Sequence, residues 1–279
     1  MRNNRTEPDL NRVKGLLASA RYDTLMSSAS ALRTRLYPES RAGGFVAIDG
    51  AVQFYGRIAA LTRASDVVLD LGAGRGEYLL EDPVPYRRAL RDHRGRCARV
   101  IGADVDPVVL DNPGVDEAHV IGADGRLPLP DASVDVIVAE AVFEHVENAE
   151  VFAAEITRVL RPGGWLCART PNRWGYIALG ASLVPNALHV AVLRGLQPDR
   201  QACDVFPTHY RLNSFAALRR LFPKTHWQDC SYTWTSEPAY FGSSWLGWRA
   251  AQALAWLLPP AMGATLMVFL RKEGGQWGR

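Results

Sequence analysis

The sequence predicts an α/β protein with a doubly wound, mainly parallel sheet of seven strands. Short apolar segments of strand length alternate with amphipathic helical segments through residues 60–170. Four of the predicted strands carry an acid at their tip, Asp70, Asp104, Asp124 and Glu140, which places carboxylates along the edge where open α/β sheets bind ligands. The chain has 279 residues, 48% of them hydrophobic, and can bury a core of this size.

The first strand is predicted at residues 67–71, and the glycine-rich loop after it is the most informative stretch of the chain. Gly72, Gly74 and Gly76 stand at every second position. Glycine permits a tight turn and lets a ligand approach the backbone without meeting a Cβ. A helix that starts after such a turn points free N–H groups at the ligand. The pattern is not the dinucleotide fingerprint Gly-x-Gly-x-x-Gly, and a tight turn without a ligand would also explain it.

The remaining elements of this region follow from apolar spacing and from turn residues. Pro83 and Pro85 interrupt the first crossover helix, Asp106-Pro107 is typical of a helix cap, and residues 161–164 (Arg-Pro-Gly-Gly) are expected to end a helix in a turn. Strands are predicted at residues 67–71, 100–104, 119–123, 134–139 and 165–169, and helices at residues 45–61, 77–90 and 149–160.

After residue 170 the alternation loosens, and this part is predicted to complete the sheet and to cover an acceptor pocket. Residues 173–206 are apolar without a clear strand, which favours a lid. Ser214 is expected to cap a short helix. The further elements predicted are a helix at residues 214–222, a strand at residues 226–235, a tryptophan-rich helix at residues 243–258 and a strand at residues 265–270.

These patterns divide the chain into three parts. Residues 1–60 are a helical lead-in, residues 61–172 are the ligand-binding core, and residues 173–279 form the lid and complete the sheet. Residues 1–41 are polar and arginine-rich and lack the apolar stretch of a secretory signal. No stretch has about twenty clean apolar residues, so no transmembrane span is predicted.

Charge and cysteine content narrow the class of protein. The net charge of +3 does not favour a nucleic-acid partner, which usually requires a concentrated basic face. The four cysteines are scattered and form no Cys-x-x-Cys pair, which argues against a zinc site and a disulfide framework. Reduced thiols in a cytoplasmic enzyme are the simpler interpretation.

Five motifs in order resemble those of the class I S-adenosylmethionine-dependent methyltransferases, in the type-11 subgroup. Residues 67–76 resemble motif I, residues 101–107 the second acidic motif and residues 123–129 the adenine-side motif. Residues 134–146 resemble motif IV with its helix, and residues 159–164 the segment before strand five. The resemblance implies a Rossmann-like fold and S-adenosylmethionine as the cofactor, and it leaves the acceptor open.

The resemblance also implies roles for individual residues. Asp104 would accept hydrogen bonds from both ribose hydroxyls, and Asp124 would meet the adenine amino group. Asp70 would lie toward the methionine ammonium, and Glu140 beneath the cofactor. The complete predicted cofactor site consists of Asp70, Gly72, Ala73, Gly74, Asp104, Val105, Asp124, Gly125 and Glu140.

Two histidines are candidate catalytic bases, since an oxygen acceptor benefits from one. His145 follows Glu144 on the helix after strand four, and His209 lies in the segment after strand five, where the family often carries a histidine. A helix cap or core histidine for His145, and a loop hydrogen bond for His209, are the structural alternatives. Some relatives hold magnesium through Glu-x-x-Glu-His, but Ala141 occupies the first position here, so no metal is predicted.

The predicted function is O-methylation of a small-molecule acceptor, such as a sugar, a glycolipid or another secondary metabolite. Residues 140–143 replace the Asn/Asp-Pro-Pro-Tyr/Phe motif of many amino-group methyltransferases. The alternatives are an RNA or protein methyltransferase, or a catalytically silent binding protein of the same fold; a dehydrogenase would share only the ribose-binding acid. The apolar segment after residue 170 could contact a membrane surface or a lipid-linked acceptor, and the oligomeric state is open.

Overall fold

The fold is organised around one mixed sheet in the computed structural model, which describes residues 29–178, 207–238 and 241–274. Its strands are β1 (Val67–Leu71), β2 (Arg99–Asp104), β3 (Glu117–Val120), β4 (Val134–Glu140), β5 (Leu160–Pro171), β6 (Trp227–Asp229), β7 (Tyr232–Trp234) and β8 (Thr265–Lys272). The order is β3-β2-β1-β4-β5-β8-β6, with β7 also paired to β8. The first five strands are parallel, and the pairs with β8 are antiparallel. The predicted doubly wound, mainly parallel fold is confirmed.

The α-helices are α1 (Gly50–Leu61), α2 (Glu77–Glu81), α3 (Pro85–Arg91), α4 (Ala149–Val159), α5 (Phe215–Leu221) and α6 (Trp245–Leu257). Short 3-10 helices cover Pro38–Arg41, Pro107–Asp111, Phe143–His145 and Pro260–Met262, and residues 29–36 are also helical. Ser214 caps α5 as predicted, because its side chain accepts the N–H of Ala217. Within the described ranges, no helix is both long and apolar enough to cross a bilayer.

Two predicted elements are each divided in two. The helix expected over residues 77–90 is interrupted between α2 and α3, where the two prolines lie. The strand expected over residues 226–235 is divided into β6 and β7, because the side chain of Asp229 accepts the N–H of Ser231 in a local turn. The second division gives the sheet eight strands instead of the predicted seven.

Two strand boundaries also differ from the prediction. The segment 161–164 was expected to be a turn, but it lies within β5, and the register to β4 shifts beside it, between Val134 and Val136. A β-bulge accommodates proline and glycine in a strand. β3 lies at Glu117–Val120, two residues before the predicted start, because pairing to β2 begins where the Asp116 carboxylate accepts the N–H of Val100.

Both faces of the sheet are covered, and each face has its own apolar core. Ile137 of β4 packs on one side in a cluster with Ile156 of α4. Its neighbour Val138 packs on the other side in a cluster with Phe54 of α1. Successive side chains of a strand point to opposite faces, so a strand buried on both sides is apolar throughout. This packing fixes the strands from which Asp70, Asp104 and Glu140 project at the carboxyl edge.

Replacement of Ile156 by alanine should lower the free energy of unfolding by about 2–5 kcal/mol, because it leaves a cavity in the core. Ile156 is fully buried, whereas Val151 of the same helix is exposed. The matched change Val151→Ala should stay within about 0.5 kcal/mol of wild type. Urea denaturation of both variants measures the difference, and equal stabilities would contradict the assignment of the core face of α4.

Candidate active site

The glycine loop, residues 72–76, follows β1 at the carboxyl edge of the sheet. Gly72, Gly74 and Gly76 have φ angles of 75°, 49° and 72°, which side chains rarely adopt. A Cβ on Gly72 would lie 2.4 Å from a methyl carbon of Val142, whereas a Cβ on Gly74 would have no neighbour within 4 Å. Gly72 is therefore required by packing and conformation, and Gly74 borders open space that a ligand can enter.

Asn112 holds this loop from behind. Its buried side-chain amide donates to the carbonyls of Ala73 at 2.8 Å and of Gly74 at 3.1 Å. Its Oδ1 accepts the N–H of Gly114 at 2.7 Å. Sequence reasoning did not identify Asn112, and the one available signal was an Asn-Pro-Gly turn after the second acidic segment. These bonds fix the backbone of the glycine loop at Ala73 and Gly74.

The carboxylate of Asp104 is held by two backbone N–H groups. One carboxylate oxygen accepts the N–H of Gly74, and the other accepts the N–H of Asp106, each at 2.9 Å. A carboxylate oxygen can accept a second hydrogen bond. The carboxylate is thus fixed in orientation and retains acceptor capacity for two donors of a ligand. Val105, the next residue, exposes more than half of its side chain.

Asp124 and Gly125 lie in a turn that begins beside Asp104, since Ile121 donates its N–H to the Asp104 carbonyl at 2.7 Å. Gly125 has a φ of 69°, and its N–H bonds to the carbonyl of Gly122. Asp124 is exposed, and its carboxylate accepts the N–H of Arg126. The structure therefore places Asp124 on the same edge as Asp104, at the rim of the site.

Asp70 carries an ionisable group with an unusual environment. Among the described residues, none donates a hydrogen bond to its carboxylate. Burial, and then the negative charges of Glu140 and Asp104, raise the pKa of Asp70 to about 7. A cation placed beside Asp70 would favour the ionised form. This carboxylate is therefore suited to receive a positively charged group of a ligand.

The carboxylate of Glu140, in contrast, forms hydrogen bonds and ion pairs with three protein side chains. Tyr55 donates to its Oε2 at 2.9 Å, Arg91 lies at 3.3 Å, and Arg169 forms a close ion pair with Oε1. Burial raises the pKa of the Glu140 carboxyl, but the guanidiniums of Arg169 and Arg91 outweigh it, and the pKa lies below its usual value. Glu140 lies at the carboxyl end of β4, where its carboxylate binds two arginines.

An extended ion-pair network, here called the arginine cluster, surrounds Glu140. Each of its three guanidiniums faces carboxylates, and the charges of the cluster balance. Asp70 lies next to this neutral cluster, and its carboxyl group forms no ion pair with any described cation. The members of the cluster are Arg87, Arg91 and Arg169 with Asp49, Asp82 and Glu140.

The two candidate histidines lie on segments that contact each other. Nδ1 of His145 is 2.9 Å from the carbonyl of Pro207, and His209 donates its backbone N–H to the carbonyl of Glu144 at 2.7 Å. A carbonyl can only accept, so Nδ1 of His145 carries a proton, and the neutral ring has its lone pair on Nε2. The segment after Phe206 is thus bonded to the 3-10 helix after β4.

A buried polar network supports these segments. Thr170 donates to the carboxylate of Glu144 at 2.8 Å, and Asn213 donates to the Thr170 hydroxyl at 2.6 Å. Oδ1 of Asn213 is buried and has no hydrogen-bond partner among the residues that the structure describes. Sequence reasoning missed Thr170 and Asn213, because the chain separates them by more than forty residues. In the part of the chain that the structure describes, no group of histidine, cysteine and acidic residues could hold a metal.

Two of the three non-glycine residues with a positive φ in the described part of the chain lie at this place, and the third is Ala132, before β4. Ala141 and Tyr210 have φ angles of 56° and 53°, and both flank the segments that carry the histidines. Non-glycine residues in this conformation cluster at functional sites, where the surrounding structure holds them. Fold and site together define an α/β domain whose carboxylates, at the carboxyl edge of the sheet, are suited to hydroxyl donors and to a positively charged group.

Comparison with known proteins agrees with this class. A family described as "Methyltransferase domain" matches residues 69–168. A protein of Mycolicibacterium smegmatis, named a probable S-adenosylmethionine-dependent methyltransferase, is 48% identical over 80 residues, which cover 27% of this chain and 30% of that protein. A malonyl-[acyl-carrier protein] O-methyltransferase of Serratia marcescens is 29% identical over 167 residues, covering 57% of this chain and 66% of that protein.

A solved structure shows the same fold. It comes from the complex between the Haloferax volcanii Trm112 methyltransferase activator and a methyltransferase, with a TM-score of 0.51 and 19% identity over 91% of this chain and 100% of that chain. Over residues 69–168 the chain is thus similar to S-adenosylmethionine-dependent methyltransferases. The match spans less than a third of the Mycolicibacterium relative.

The raised pKa of Asp70 predicts a pH-dependent stability. The folded chain keeps this proton up to about pH 7, whereas an unfolded aspartate loses it near 3.8. The stability from Asp70 is therefore full below the unfolded pKa and is lost as the pH rises through the folded pKa. In the absence of ligand, Asp70→Asn should raise the free energy of unfolding by about 1–3 kcal/mol at pH 8. The increase should be smaller at pH 5, because the wild-type carboxyl is still protonated in the folded chain at that pH.

Urea denaturation at both pH values measures this difference. The same change at the exposed Asp111, Asp111→Asn, should leave the free energy of unfolding within about 0.5 kcal/mol of wild type. A destabilised Asp70→Asn variant at pH 8 would show that the carboxylate has a stabilising partner.

Proposed function

We propose that this protein transfers the methyl group of S-adenosylmethionine to an oxygen atom of a small-molecule acceptor. One observation carries the proposal: Asp104 and Asp70 flank the glycine loop in complementary states. Two backbone N–H groups fix Asp104 for hydroxyl donors, whereas Asp70 lacks a hydrogen-bond donor among the described residues and has a raised pKa. A nucleoside ribose and an amino-acid ammonium are the two groups that this pair would receive.

The residues present fit this cofactor. Open space beside Gly74 leaves room for a ligand at the loop. Asp104 would hold the ribose hydroxyls, and Asp70 would hold the ammonium. The bound cofactor would supply a methyl group on a positively charged sulfur, which is already activated for transfer. Asp124 and Gly125, at the rim, would border the adenine.

The task left to the protein is alignment and proton removal. Holding two reactants in line replaces a collision in solution by a step within one complex, which is the largest contribution a protein can make here. The segment bonded to Phe143–His145 would orient the acceptor, and Nε2 of His145 would take the proton from its hydroxyl. Glu144 and Thr170 would keep the histidine helix in position.

Two observations support oxygen on a small molecule as the acceptor. The relative from Serratia is named an O-methyltransferase. Residues 140–143 also lack the Asn/Asp-Pro-Pro-Tyr/Phe motif of many amino-group methyltransferases. We place this activity in the cytoplasm, in keeping with the free thiols of Cys97, Cys167 and Cys230.

Transfer of a labelled methyl group tests this function directly. Incubation of the chain with methyl-labelled S-adenosylmethionine and a cell extract should put label into the small-molecule fraction. Asp104→Ala should lower cofactor affinity by about 1.5–3 kcal/mol, as expected for a lost charged hydrogen bond, and should abolish labelling at limiting cofactor. Isothermal titration measures the affinity, and the exposed Asp111→Ala is the control.

Each outcome of this experiment decides one point. Unchanged cofactor affinity in a folded Asp104→Ala variant would disprove the ribose assignment. Label in RNA or protein would show that the acceptor is a macromolecule and not a small molecule. Cofactor binding without any transfer would favour a silent binding protein.

The role of His145 can be tested by a change that preserves its hydrogen bond. In His145→Asn the amide can still donate to the carbonyl of Pro207, but no group replaces Nε2. Loss of a general base should lower kcat by about 10²–10⁴, with unchanged cofactor affinity. His209→Asn serves as the comparison. Equal kcat in wild type and His145→Asn would leave the histidine with a structural role.

A further inference from the structure

The helix α6 exposes a broad apolar face to solvent. The side chains of Trp256, Leu246 and Leu257 are 84%, 73% and 70% exposed. Trp245 and Leu254 are also exposed, and Trp248 is buried on the opposite side. A surface helix normally directs its apolar residues to the core. A contiguous exposed apolar face of this kind marks an interaction surface.

The exposed residues share one side of the helix. Leu246, Ala250, Ala253 and Leu257 recur at spacings of four, three and four, which aligns them along the axis. Arg249 is the one charged residue within α6, and it lies beside this line. The face is therefore apolar along its whole length, with tryptophan at both ends and a single cation.

Contacts on the other side fix the rotation of α6. The indole N–H of Trp248 donates to the carbonyl of Gly242 at 2.9 Å, and its ring lies 6.0 Å from that of Tyr37. Gln252 donates to the Tyr37 hydroxyl at 2.8 Å. The protein thus holds the polar and aromatic side of α6 and leaves the apolar side outward.

The charges around the face favour an anionic partner. From residue 241 to residue 272 the chain contains no aspartate or glutamate. Glu39 and Glu237 act on Tyr37, which lies on the inward side of the helix. Arg249 is exposed next to the apolar line. A partner with an apolar interior and negative surface groups therefore complements this face.

The face is connected to the active site. The chain runs from α6 through Pro260–Met262 into β8, whose first residue pairs with Pro171 at the carboxyl end of β5. The side-chain amide of Asn172 donates to the carbonyls of Ala261 at 3.1 Å and Gly263 at 2.8 Å. The C-terminal end of α6, which carries Trp256 and Leu257, is thus tied to the edge that holds the site.

We propose that α6 lies on the surface of an anionic lipid bilayer, with its apolar face between the headgroups. Tryptophan is favoured at such interfaces, where one part of the ring is apolar and the N–H is polar. Arg249 contacts lipid phosphates. A protein partner would need about one hydrogen bond per 100–200 Å² of interface, and this face has few donors or acceptors.

The proposed position of α6 on the bilayer also defines the class of acceptor. A bilayer under α6 brings its headgroup layer beside the carboxyl edge of the sheet. This inference rests on the proposed O-methylation. The position of the headgroup layer then identifies the acceptor as a hydroxyl group on a lipid or on a lipid-linked molecule.

Vesicle flotation of the full chain tests the docking. Vesicles of phosphatidylcholine with phosphatidylglycerol should bind the protein, and pure phosphatidylcholine vesicles should bind it less. Leu257→Glu should weaken binding at least about tenfold, since it puts a charge where an apolar side chain is buried. Leu80→Glu, at a side chain of α2 with 65% exposure, should bind like wild type.

Failure of the docking and failure of the proposed function are distinguishable in the same samples. No binding to anionic vesicles, with cofactor still bound in isothermal titration, overturns the docking alone. Vesicle binding without cofactor binding overturns the proposed function and leaves the docking. A dimer that dissociates in Leu257→Glu, with no vesicle binding, would show that this face contacts a second copy of the chain.

Discussion

The ion pairs of Glu140 are the interaction on which the site depends. Glu140 ends the central strand β4, and its carboxylate binds Arg91 of α3, Arg169 of β5 and the hydroxyl of Tyr55 in α1. Two helices and two strands are thereby joined beneath the glycine loop. A buried carboxylate that lost these partners would be strongly destabilising. Arg91 and Arg169 compensate the charge of Glu140, and Asp70 is the neighbouring carboxyl group without a direct cation partner among the described residues.

Asp70 illustrates how such a site stores free energy for a ligand. Its carboxylate is placed in an environment that favours the neutral form, and a positively charged ligand reverses that preference. A functional site can in this way lower the stability of the free protein. The strained backbone at Ala141 lies one residue beyond Glu140, so the strain and the unpaired charge lie at the same edge of the sheet.

The interaction face of α6 extends this organisation to the outside of the molecule. Asn172 links the end of β5 to the loop after α6, and Asn213 links the same strand to the segment that carries His209. The end of β5 therefore connects the lipid-facing helix, the histidine segment and the arginine cluster. An acceptor held at a bilayer would approach the site from this side.

The sequence by itself determined the parallel sheet, the glycine loop and the positions of Asp70, Asp104 and Glu140, because strand periodicity and turn chemistry are local. It also indicated the cap at Ser214. Only the tertiary structure decided the division of the last strand region, the bulge at residues 161–164, the contacts of Asn112 and the arginine cluster. Those features pair residues that are distant in the chain, such as Tyr55 with Glu140, and local patterns carry no information on which distant groups meet.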